Sequence, residues 1–217
     1  MIYELRRYTL HPGRRDELIT LFEREFVESQ EATGMRVAGT FRDPDAPDTF
    51  PWLRAFPGPR TRRESLDAFY TGPVWLANRD AANATMIDSD DVLLLHSVGP
   101  ELPAGDRPPV GAGEPPPSLY VATVYHVEAG FSEFFVRQVA PVLAEAGVPP
   151  VACLETEHSA NDFPRLPVWT GENVFVWFAR FDTPEEEREV DLPKLDERLT
   201  APPERLRLRP TARSSLR

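Results

Sequence analysis

A proline- and glycine-rich run, "GPELPAGDRPPVGAGEPPP" at residues 99–117, lies between two stretches of chain that read alike. It holds seven prolines and four glycines. Such a run has no apolar periodicity and cannot build a core, so it reads as a linker. The expected organisation is a domain at 1–98, a linker at 99–117 and a second, divergent domain at 118–217.

The repeat is visible residue by residue. "IYELRRYTL" (Ile2 to Leu10) and "LYVATVYHV" (Leu119 to Val127) read as strands, each followed by a glycine turn. A slide of 117 residues sets Tyr3 on Tyr120, Tyr8 on Tyr125 and Gly13 on Gly130. Helical spacing follows in both: Leu18, Leu21, Phe22 and Phe26, then Phe134, Phe135, Val139 and Leu143. Next come "RVAGTF" with "FPWLRAF", and "VACLETE" with "NVFVWFARF". A slide of 125 sets Trp52 on Trp177 and Phe56 on Phe181. Each half then predicts a second helix, the later one starting at Thr183, Pro184 and Glu186 with an N-cap, a first-turn proline and a capping-box acid. "VLLLHSV" and "RLRLR" close the halves as strands. The order β-α-β-β-α-β, twice, is ferredoxin-like. A bare apolar sheet face must be buried, so the fold class is α+β, with two tandem halves packed sheet to sheet as a barrel around a central cavity.

Three separated motifs, "MIYELRRYTLHPG", "FPWLRAFP" and "FYTGPVW…ANATMIDSDDVLLL", resemble the NIPSNAP family of the dimeric α+β barrel superfamily. The resemblance covers nearly all of residues 1–98 and rests in 118–217 on the topology with Tyr120, Tyr125, Trp177 and Phe181. It implies an intramolecular version of that barrel. The superfamily's cofactor-free monooxygenases, isomerases and dehydratases, and its haem-binding enzymes, set the range of expected functions. The second half has no counterpart of "GPVW…NATM", so a site built on that motif occurs once.

The formal charge of −11 gives no attraction to nucleic acid. "RTRRE" (Arg60 to Glu64) and "RLRLRP" are small basic groups beside carboxylates and read as solvated faces. No apolar run approaches the ~20 residues that span a bilayer. One cysteine, Cys153, cannot form an internal disulfide or a thiolate cluster. With no apolar leader in "MIYELRRYTL", the expected setting is cytoplasmic, and the sequon at Asn83 goes unused. Assembly into a homo-oligomer is left open.

Strand alternation puts Glu4, Arg6 and Tyr8 on one face of the first strand. An acid, a fixed cation and a phenol on one line suit polarisation of a carbonyl or enol, with Glu4 as base if burial raises its pKa. An inter-half salt bridge is the plainer alternative. Trp52 and Arg54 could clamp a planar or anionic ligand from the third strand. His96, on the closing strand, is a candidate proton carrier or haem ligand, and of Tyr125 and His126 one must point toward the cavity. The four histidines form no HxH, HxxxH or HExxH, so no metal site is expected. "DSDD" (Asp88 to Asp91) lacks the glycine and glutamate of a calcium loop and reads as turn chemistry. No P-loop, GxGxxG or GxSxG occurs. In "YTGPVWLANRDAANATMIDSDD", Pro73 ends one helix and starts another, whose stripe is Val74, Ala77, Ala81 and Ala84 or Thr85. Trp75 and Asn83 could reach a pocket from it. The expectation is a metal- and cofactor-free enzyme for an apolar or aromatic enolisable compound. Glu4, Tyr8 and His96 are the catalytic candidates, and Arg6, Trp52, Arg54, Trp75, Asn83, Tyr125, His126 and Trp177 line the site. The alternatives are a haem- or ligand-binding barrel, or an interaction protein with a filled cavity.

Overall fold

The computed structural model describes residues 1–192 and 195–217. The first half supplies strands β1 (Ile2–Leu10), β2 (Arg36–Arg42), β3 (Thr49–Phe56), β4 (Met86–Asp88) and β5 (Val92–Ser97). The second supplies β6 (Leu119–His126), β7 (Ala152–Thr156), β8 (Val174–Phe181) and β9 (Glu204–Pro210). Within the halves the orders are β2-β3-β1-β5 and β9-β6-β8-β7. Both are the ferredoxin-like order, with the first and third strands central.

The two sheets also join edge to edge. β5 pairs antiparallel with β7, from Leu95 opposite Thr156 to Ser97 opposite Leu154. β2 pairs with β9 at Phe41 opposite Pro210 and Arg42 opposite Arg209. With β1 paired to β3, eight of the nine strands form a closed antiparallel barrel, and β4 hangs on β1. Closure removes the exposed edges that two separate sheets would leave. The halves are thus one continuous wall closed around a central gap, the intramolecular barrel that the sequence predicts.

That gap is filled. Tyr3 and Leu5 of β1, Leu53 of β3 and Phe178 of β8 meet inside the barrel, each fully buried, in one apolar cluster drawn from both halves. Burial of such side chains stabilises by roughly 1.5–3 kcal/mol each. The proline-rich run helps to close this core. Leu102 is buried in it, Arg107 donates to the Arg213 carbonyl and pairs with Glu31, and Leu216 of the C-terminal tail is buried in the same cluster.

The opposite face of each sheet carries a second layer. In the first half it is α1 (Arg15–Leu21), a π-helical turn over Phe22–Phe26, α2 (Val27–Glu31), α3 (Pro59–Thr71) and α4 (Pro73–Asn83). Prolines open both α3 and α4, where their missing N–H costs nothing. Gly72 joins them, and a Cβ there would stand 2.9 Å from the Ala68 carbonyl oxygen, so this corner accepts only glycine without a backbone shift. The face that α4 buries keeps Val74 and Thr85 of the expected stripe and is rotated away from its alanines. Trp75, Asn78, Ala82 and Thr85 turn inward, whereas Ala77, Ala81, Asn83 and Ala84 are exposed.

In the second half, α5 (Phe131–Phe134), a π-helical turn over Phe135–Val139 and α6 (Ala140–Glu145) repeat the first helical rod. Among the described residues the second helix expected there does not form. Thr183 precedes only a short 3-10 turn at Pro184–Glu186, and a second turn spans Asp196–Arg198. Consecutive acids at Glu185, Glu186 and Glu187 and the prolines at 193, 202 and 203 oppose a helix through this stretch. Thr183 makes no side-chain cap bond.

Candidate functional site

The alternation expected in β1 is present: Glu4, Arg6 and Tyr8 share a face, and β3 sets Arg54, Trp52 and Phe50 directly opposite them. That face points to the helices and away from the barrel interior. Tyr8 and Trp52 pack with Phe22 and Phe26 of the π-helical turn. A π-turn widens the helix locally, and such turns recur at functional sites.

Three guanidinium groups converge on one carboxylate. Arg6 Nη1 is 2.7 Å from Glu4 Oε2, Arg54 Nε donates to the same oxygen at 2.8 Å, and Arg62 Nε donates to Oε1 at 2.7 Å. All four side chains are at most 2% exposed. Arg62 also meets Asp162 and Asn161 of the second half at 3.0 Å. Arg6 donates to Tyr8 Oη at 3.0 Å, and Arg54 to Gln30 Oε1 at 3.3 Å.

The electrostatics overturn one expectation. Burial alone would raise the Glu4 pKa, but Arg54, Arg6 and Arg62 outweigh it and hold the carboxyl well below the usual carboxylate range. Glu4 is therefore a permanent counter-ion and has no use as a base. Burial raises the Tyr8 phenol, with Arg6 opposing in part, so Tyr8 stays neutral at physiological pH. The cluster has three cations against Glu4 and the partly exposed Asp162. Buried donors are left over: Arg62 Nη2 and Trp52 Nε1 have no acceptor, and Arg54 Nη2 lies 2.7 Å from Glu4 Oε2 without hydrogen-bond geometry.

A cavity of about 30 Å³ lies beside this cluster, lined by Tyr8, Trp52, Gln30, Tyr70, Trp75 and their neighbours. Trp75 closes its outer side, 4.9 Å from the Tyr70 ring and 5.5 Å from Phe26. The "GPVW" motif thus contributes Trp75 to the site, and Asn83 faces solvent. "DSDD" is a turn, with the Asp90 amide donating to Asp88 Oδ1 at 2.9 Å, and its Ser89 carbonyl accepts from Arg6.

The remaining candidates lie elsewhere. His96 sits on the β5–β7 seam between Glu155 and Glu157 and is partly exposed. His126 lies at a barrel end between Glu172 and Glu204. Neither lines the Trp52 cavity or the larger cleft of the second half, so neither imidazole fits a haem placed in those spaces. Tyr125 and Trp177 do line that larger cleft, outside the barrel. Burial pushes the Cys153 thiol up to about 12, which leaves it unreactive. Among the described residues no group of three or more His, Cys, Asp or Glu is placed to hold a metal ion, and no helix is long and apolar enough to cross a membrane.

Arg62, Gln30 and Tyr70 are absent from the expected set. Arg62 was legible as a partner of Leu66 and Phe69, three buried residues of α3 at helical spacing. The basic run around it favours the solvated reading instead.

Residues 3–98 match the NIPSNAP family model. No curated protein matches the sequence. Among solved structures the chain resembles a candidate monooxygenase from Lactobacillus acidophilus NCFM, with 14% identity and a TM-score of 0.59 over 98% of this chain and 96% of that one. A candidate monooxygenase from Fusobacterium nucleatum subsp. nucleatum ATCC 25586 aligns at 9% identity and TM-score 0.61, covering 97% and 92%. An anthrone oxidase-like protein aligns at 13% identity and TM-score 0.57, covering 97% and 91%. These likenesses establish a shared fold.

Proposed function

We propose that this chain, whose residues 3–98 are a NIPSNAP domain within a single-chain α+β barrel, binds a small aromatic or enolisable molecule as its anion. The domain and the barrel are those of a small-molecule enzyme or binding protein. The site is the layer between β1–β3 and the helices of the first half. One observation carries the reading: three buried arginines share one buried carboxylate, Arg62 Nη2 and Trp52 Nε1 have no acceptor, and the aromatic cavity is lined by Trp52 and by Gln30, which accepts from Arg54. A buried excess of positive charge and unpaired N–H groups costs free energy that an anionic oxygen would recover.

The chemistry follows from that electrostatics. A phenol or enol held beside fixed guanidinium groups loses its proton more readily. The resulting enolate or phenolate is nucleophilic at carbon, which metal-free oxygenation, isomerisation and dehydration all require. Glu4 holds no proton and Tyr8 gives none up, so the substrate proton leaves to solvent. The fold neighbours described as candidate monooxygenases make oxygenation the first reaction to assay.

The cavity at about 30 Å³ has room for roughly one water. A ring must therefore displace Trp75. Helix α4 is suited to moving, because Ala82 is its one fully buried side chain and Gly72 separates it from α3. The test is an absorbance titration with 4-nitrophenol. The wild type should bind it as phenolate, with its pKa lowered. Trp75→Ala should bind more tightly, and Arg54→Gln should abolish the shift. No saturable binding by either the wild type or Trp75→Ala, or binding with an unshifted pKa, would refute the proposal.

A further inference from the structure

The two halves carry matching tryptophans with different surroundings. Trp52 on β3 and Trp177 on β8 occupy the same register in the repeat, both on the outer face of their sheet. Each has a buried Nε1–H without an acceptor. Trp52 is roofed by α3 and α4. Over Trp177 the described residues after Pro184–Glu186 form no such helices, only a 3-10 turn at Asp196–Arg198. The space left is a cleft of about 580 Å³.

We propose that this cleft is a second ligand site, independent of the anion site, for an uncharged, largely apolar molecule that carries one hydrogen-bond acceptor such as a ketone. Its volume lies in the range of small-molecule sites, roughly 300–1,000 Å³. Its floor is apolar, formed by Val121 of β6 with Trp177, Ala179 and Phe181 of β8. Leu143 of α6 and Leu192 also line it. Trp177 lines the cleft and is 7% exposed, and its Nε1–H is buried without an acceptor, so a ligand acceptor that draws the indole edge toward the cleft satisfies it.

The charged groups at the rim argue against an ionic ligand. Arg205 pairs with Glu187 and Glu189. Arg188 donates to the carbonyls of Ala146 and Gly147. With Asp191 also present, the rim is mixed and its cations are already engaged. This differs from the first half, where the cations outnumber their partners. The duplicated sheet face thus offers a closed, cationic site in one half and an open, neutral one in the other.

The test uses a neutral naphthyl ketone, 6-propionyl-2-dimethylaminonaphthalene, whose emission shifts to the blue in an apolar setting. The full-length wild type should bind it saturably with a blue shift. Ala179→Phe, which fills the floor, and Leu192→Asp, which charges the lining, should each abolish binding. Trp177→Phe should weaken it about 3- to 10-fold, the loss of one hydrogen bond, and the analogue lacking the carbonyl should not sense that change. Trp75→Ala, in the other half, should leave this binding unaltered. Near-ultraviolet circular dichroism checks that each variant is folded. Binding unaffected by both Ala179→Phe and Leu192→Asp in folded protein, or binding that changes with Trp75→Ala, would overturn the proposal. The anion site would stand in either event, because 4-nitrophenolate reads it separately.

Discussion

Replacing Glu4 by Gln removes one charge and almost no volume, so it isolates the electrostatic role of the cluster. In the wild type, Oε2 meets Arg6 and Arg54 and Oε1 meets Arg62, all within 2.8 Å. A glutamine amide has one acceptor and one donor end. Whichever way it turns, at least one guanidinium faces an NH₂ group, and three buried cations lose their shared counter-ion. Breaking a buried ion pair on one side costs about 3–5 kcal/mol, roughly a 100- to 5,000-fold drop in the folding constant. Urea unfolding, followed by tryptophan fluorescence, measures it. The pH dependence has a defined sign. The Glu4 pKa is lowered on folding, so its contribution is fully present above the unfolded value of 4.5 and is lost as pH falls through and below it. The stability gap between wild type and Glu4→Gln should therefore narrow between about pH 5 and pH 3. A loss under about 1 kcal/mol at pH 7, the size expected of a surface pair, would refute the reasoning.

Phe178→Ala opens a void inside the barrel and should cost about 3–5 kcal/mol in urea unfolding; a cost typical of an exposed site would mean that the interior is not packed as described. Gly72→Ala pushes a methyl group against the Ala68 carbonyl, and the resulting backbone shift should destabilise by about 1–3 kcal/mol, read as a lower melting temperature; an unchanged value would deny the close approach. Residues 1–98 expressed alone would expose the edges of β2 and β5 and the apolar face of Leu5, Leu53 and Leu95. Sedimentation should show them pairing with a second copy or aggregating, and a stable monomer would contradict the shared core.

The fold was legible in the sequence because a duplicated strand-and-helix order leaves few alternatives. Tyr3 over Tyr120 and Trp52 over Trp177 mark the same strands in both halves. Period-two alternation placed Glu4, Arg6 and Tyr8 together, and it could not say which layer that face would meet. Both faces of β1 are mixed, Glu4 with Tyr8 on one and Leu5 with Arg7 on the other, so neither announces itself as the barrel interior. The helix layer claimed the charged face because α3 brings Arg62, whose charge Glu4 neutralises. The false helix after Thr183 shows the opposite limit. A good local start signal cannot carry a stretch that has clustered acids behind it and prolines within it. His96 and Asn83 were plausible by residue type, yet a sheet seam and a rotated α4 turn them away from the cavity.

The central claim is that the cationic, aromatic layer of the first half takes the anion of a small ring. A crystal structure of the full chain with 4-nitrophenol tests this most directly. The account predicts the ring between Trp52, Tyr70 and a displaced Trp75, with its oxygen within hydrogen-bond distance of Arg54 or Arg62. A ring seated only against Trp177 in the second-half cleft, or inside the barrel among Leu5, Leu53 and Phe178, would contradict it.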